Sequence, residues 1–97
     1  MRLSESQQQA IRETVLAEDP TASVYLFGSR TDDRQEGGDI DLYLETDIET
    51  GTLELKARLL NRLWERLGPQ RIDLLLHRRG TPFSPFEREI HHSGIRL

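Results

Sequence analysis

Gly38-Asp39-Ile40-Asp41-Leu42-Tyr43-Leu44-Glu45 alternates cleanly between apolar and polar side chains. A period of two puts Ile40, Leu42 and Leu44 on one face, and Asp39, Asp41, Tyr43 and Glu45 on the other. That is a β-strand with one buried and one polar face. Upstream, residues 23–27 form a short β-branched and aromatic run, which Gly28-Ser29 ends abruptly. Residues 30–38 are polar and close on two glycines, as a loop does. Further back, Ser4 with Gln7 makes a capping box for a first helix. Its thin apolar stripe is Ala10, Ile11, Thr14, Val15 and Ala17, and Asp19-Pro20 stops it.

Downstream, Leu53, Lys56, Leu60, Leu63, Trp64 and Leu67 recur at helical spacing. They predict a helix over residues 52–67, with Trp64 in the core and Gly68-Pro69 as the stop. Residues 71–76 read as a third strand, with Ile72, Leu74 and Leu76 on one face and Asp73 and Leu75 on the other. Pro82 and Pro85 mark a loop, and residues 86–92 a short last helix. The expectation is one α/β (α+β) domain spanning residues 1–97, in the order α-β-β-α-β-α. Its small mixed β-sheet carries helices packed on one face.

Composition narrows the function. The chain has 97 residues, near the size of one ordinary domain. No apolar run approaches the roughly 20 residues that cross a bilayer, so no membrane role is expected. Cysteine is absent, which excludes disulfides and thiolate metal sites. With no leader-like start, the expected location is cytoplasmic. The formal net charge is −4, which makes direct nucleic-acid binding a poor expectation. The late basic residues Arg66, Arg71, Arg78 and Arg79 read as a solvated face.

The carboxylates carry the chemistry. Asp39 and Asp41 lie two apart on one strand, so their side chains share a face with Cα atoms about 7 Å apart. Carboxylates held side by side repel, and a divalent cation removes the conflict. Hard oxygen ligands suit Mg²⁺. Asp73 joins the pair if its strand is a neighbour. Three carboxylates then suffice for two Mg²⁺ ions about 4 Å apart, the arrangement used in phosphoryl and nucleotidyl transfer. Gly28 lets backbone approach a phosphate closely, Ser29 offers a hydroxyl and an N–H, and Arg30 adds positive charge.

Each feature alone is weak, because a polar strand face or a turn explains it. The combination of strand, Gly-Ser, Asp-x-Asp strand, helix and strand Asp is more specific. Leu26-Phe27-Gly28-Ser29-Arg30 followed by Gly38-Asp39-Ile40-Asp41-Leu42 resembles the signature of the polymerase-β-type nucleotidyltransferase superfamily. The nearest resemblance is to its minimal branch, the MNT proteins. Arg71-Ile72-Asp73-Leu74 resembles that family's third-carboxylate strand, and residues 86–97 its usual ending. The resemblance implies a nucleoside triphosphate donor such as ATP, Mg²⁺, and nucleotidyl transfer. It further implies an antitoxin role toward a HEPN-domain ribonuclease toxin, in some members by adenylylating it. Carried over, Gly28 and Ser29 hold phosphates, Asp39 and Asp41 bind metal, and Asp73 completes the metal site and helps activate an acceptor hydroxyl. The acidic Thr31-Asp32-Asp33, where relatives are more basic, departs from the pattern and bears on Arg30.

His77, His91 and His92 lack metal-ligand spacing and are read as structural. Phe83 and Phe86 read equally as tail packing or a partner contact. Two other functions compete with the enzyme that modifies a partner protein. One is a binding-only antitoxin with an idle site. The other is a transferase for a small molecule, for which the chain offers little enclosure.

Overall fold

A computed structural model describes residues 3–28 and 39–97. Helix α1 (Glu5–Glu18) starts at Ser4, whose hydroxyl accepts from the Gln7 N–H while Gln7 returns the bond to the Ser4 backbone. Strands β1 (Ser23–Phe27) and β2 (Ile40–Thr46) follow, then α2 (Thr52–Leu67), β3 (Ile72–Arg78), α3 (Pro85–Ser93) and the short β4 (Ile95–Arg96). The sheet runs β3-β2-β1-β4. β1 pairs antiparallel with β2 and β4, whereas β2 and β3 are parallel. Parallel neighbours need a crossover, and α2 supplies it. The expected mixed α/β architecture and element order hold, with β4 added at the end.

The core lies between the sheet and the two long helices. Leu26, Ile40, Leu42, Leu44 and Leu74 face Ile11 and Val15 of α1 and Leu55, Leu59 and Leu63 of α2. Each buried leucine contributes about 1.5–3 kcal/mol by leaving water. The α2 stripe differs in phase from the expectation: Leu53 is 75% exposed and Trp64 42%. Trp64 is therefore not core; its indole N–H donates to the Gln70 carbonyl across the turn that ends α2.

The second face of the sheet is not left to water, because α3 lies across part of it. Glu45 accepts a 2.8 Å contact from His91 Nε2, and Glu87 pairs with His77 Nδ1 at 2.7 Å. Tyr25, Tyr43, His91, His77 and Phe83 form a layer of ring contacts between strands and helix. Tyr43 is fully buried, and burial pushes its hydroxyl well above the ordinary tyrosine range. Asp19 ties the opposite end of the sheet together by accepting from Thr21 and from the buried Thr46 hydroxyl. Burial opposes ionisation of Asp19, but those bonds prevail and hold its carboxyl below the ordinary value.

Candidate active site

Where α3 stops covering the second face, the strand ends present acid. The parallel β2–β3 register sets Asp41 opposite Asp73, and the antiparallel β1–β2 register sets Phe27 opposite Asp41. Asp39 stands just before β2, two residues from Asp41 on the same face. The pairing that the sequence left conditional on neighbouring strands is therefore present.

Electrostatics records how close the acids are. The Asp41 carboxyl is pushed from 3.8 to about 6. Burial is the largest cause, followed by the charge of Asp73, a hydrogen bond shared with Asp73, and the charge of Asp39; Arg71 opposes them. Arg71 Nε lies 3.3 Å from Asp39 Oδ2 and 3.9 Å from Asp73 Oδ1, so one guanidinium bridges two of the acids. The other late arginines are engaged too: Arg66 with Glu13, Arg78 with Glu49 and Arg79 with Asp47.

Gly28 closes over this group. Its φ of +79° is left-handed, and a Cβ there would overlap the Asp41 carboxylate. Glycine is thus required on both counts, and the backbone turn after β1 lies directly against the acid. Ser29 and Arg30, the other two residues expected to hold phosphate, lie outside the described residues, as does Thr31-Asp32-Asp33.

Beside the acids is an open recess of about 340 Å³ lined by Phe27, Asp41, Lys56, Asp73, Leu75 and Phe86. Larger recesses beside Leu53 and Leu76 (about 440 Å³) and beside Trp64 (about 540 Å³) contain none of the three aspartates. Phe27 and Lys56 as lining residues and the bridging role of Arg71 escaped the sequence reading, which weighed Phe86 as tail packing or a partner contact. Arg71 had a usable signal, since it precedes Asp73 by two on one strand face.

Acidic groups gathered at the end of a mixed sheet, under a glycine turn, define a small α/β domain built to manage concentrated negative charge. Residues 9–96 match the nucleotidyltransferase domain family, and the chain belongs to it. Membership supports nucleotide transfer as the general activity and a nucleoside triphosphate as substrate. No curated protein matches the sequence.

Domains of this family typically use divalent metal ions. The donor set fits that chemistry: clustered oxygen donors, one of them, Asp41, kept from ionising freely first by burial and then by the neighbouring acids. Among the described residues no three His, Asp or Glu side chains already converge as a metal-holding group. Arg71 instead contacts two of the acids, Asp39 and Asp73.

Proposed function

We propose that the protein transfers a nucleoside monophosphate, with AMP the first choice, from a nucleoside triphosphate to a hydroxyl on a partner protein. The observation that carries this reading is the register that sets Asp41 beside Asp73, with Asp39 two residues away and Gly28 folded over the group. In it, Asp39, Asp41 and Asp73 hold Mg²⁺, while Gly28 and Ser29 cradle phosphates with help from Arg30. Two bound Mg²⁺ ions would neutralise the phosphates and stabilise the attacking and leaving oxygens. Asp73, the half-exposed member, accepts the proton of the acceptor hydroxyl as that oxygen bonds to the α-phosphorus and pyrophosphate leaves.

The partner we favour is a HEPN-domain toxin, which this protein would restrain as its antitoxin. The shallow recess supports a protein acceptor that completes the site. The net charge of −4 supports a basic, RNA-handling partner, since opposite charges speed encounter. A binding-only antitoxin is the second reading; the Arg71 bridge favours it, because a resident guanidinium already satisfies two of the acids.

The test is to incubate the protein with Mg²⁺, ATP and the product of the neighbouring gene, and to follow toxin rescue in cells alongside. A mass gain of one AMP on the partner, with rescue that depends on Asp39 and Asp41, supports the enzyme. Full rescue by the Asp39→Asn, Asp41→Asn protein makes binding the protective act.

A further inference from the structure

We propose that the recess beside the carboxylates seats the nucleobase of the donor, which stacks on Phe86. The inference rests on the nucleotide-transfer reading and adds the part of the site that holds the base. Phe86 is 57% exposed, and its free ring surface lines the same recess as Asp41 and Asp73, where a ligand can cover it. It is nevertheless held in place. Ser84 caps α3 through a full capping box, Pro85 fixes the first turn, and Ile90 is buried. The His77–Glu87 and His91–Glu45 pairs bind the helix to β3 and β2. Phe27 meets the Phe86 ring edge to face at 5.7 Å and 84°, which sets its tilt.

Position links this ring to the phosphates. Phe27 is the residue before Gly28, and Asp41 and Asp73 line the same recess as Phe86. For a triphosphate held at Gly28 and the acids, this recess is the adjoining apolar surface that offers its base a stacking partner. About 340 Å³ is at the lower end for small-ligand sites, and aromatic and leucine walls with a few polar groups are their usual lining. Phe83, the neighbouring exposed ring, is already stacked on His77 at 4.4 Å, whereas Phe86 has only the edge contact with Phe27 among the described ring pairs. Stacking accepts any base, so the site should favour purines for their larger face without reading one base strictly.

The experiment compares two probes that share phosphates and differ in the base. A non-hydrolysable ATP analogue and inorganic tripolyphosphate are each titrated calorimetrically with Mg²⁺ into wild type, Phe86→Ala, Phe86→Leu and Phe86→Trp. Phe86→Ala should weaken the analogue roughly 5- to 100-fold and leave tripolyphosphate within about twofold. Phe86→Leu, which keeps an apolar contact with Phe27, should also lose analogue affinity, and Phe86→Trp should retain it. Equal losses for both probes, or no loss in Phe86→Ala, overturn the base seat while leaving nucleotide transfer intact. A wild type that binds neither probe overturns the underlying reading as well.

Discussion

Replacing Asp41 by Asn removes the acid that the structure penalises most, so the metal-free protein should become more stable. The Asp41 carboxyl is pushed from 3.8 to about 6, chiefly by burial and then by Asp73. A folded-state value above the unfolded one means the native state holds the extra proton. Stability therefore falls as pH rises from about 4 to about 6, and the whole penalty is present above that window. At about 1.4 kcal/mol per pH unit the ceiling is ~3 kcal/mol. Asp41 is only partly buried, and solvent screening reduces the expected gain to about 1–2 kcal/mol. For a chain of this size that raises the melting temperature by roughly 5–10 °C. Melts of wild type and Asp41→Asn are compared without metal at pH 7.5 and pH 5. The variant should lead at pH 7.5, and the gap should narrow at pH 5. Saturating Mg²⁺ should reverse the order by stabilising wild type alone. An Asp41→Asn protein that is no more stable at pH 7.5, with a gap independent of pH, refutes the claim that these carboxylates crowd one another.

Gly28→Val should abolish nucleotide transfer and lower the melting temperature, since it forces a β-branched residue to positive φ against the Asp41 carboxylate; unchanged activity moves the phosphates elsewhere. Ser29→Ala should be milder, with transfer reduced about tenfold in steady-state kinetics, the worth of one hydrogen bond to a charged group. Asp19→Ala should cost about 2–3 kcal/mol in urea denaturation by stripping partners from Thr21 and the buried Thr46 hydroxyl. Because the Asp19 carboxyl is held below its ordinary value, its contribution is present at neutral pH and fades as pH falls below about 4.

The strands were the most legible part of the sequence. The alternation in β2 named its core face correctly, and Asp41 and Asp73 occupy the face it left for chemistry. The phase of α2 was harder, because leucines at 53, 55, 59, 60, 63 and 67 fall on several helical faces. Packing on the sheet selects Leu55, Leu59 and Leu63, and no local pattern carries that choice. Tyr43 and Glu45 were assigned to a polar face because they alternate with apolar residues, and nothing local marked His77 as buried. Their burial depends on α3, whose Glu87 and His91 bring partners to His77 and Glu45 from 10 and 46 positions away. The Arg71 bridge depends in the same way on the register between β2 and β3.

Nucleotide transfer through the aspartates is tested most directly by following which phosphate of ATP reaches the acceptor. The protein is incubated with Mg²⁺, its partner protein, and ATP labelled at either the α- or the γ-phosphate. The account predicts that the α label becomes covalently bound, that the γ label leaves as pyrophosphate, and that Asp39→Asn, Asp41→Asn binds neither. Transfer of the γ label, or undiminished α labelling by the double variant, would contradict it.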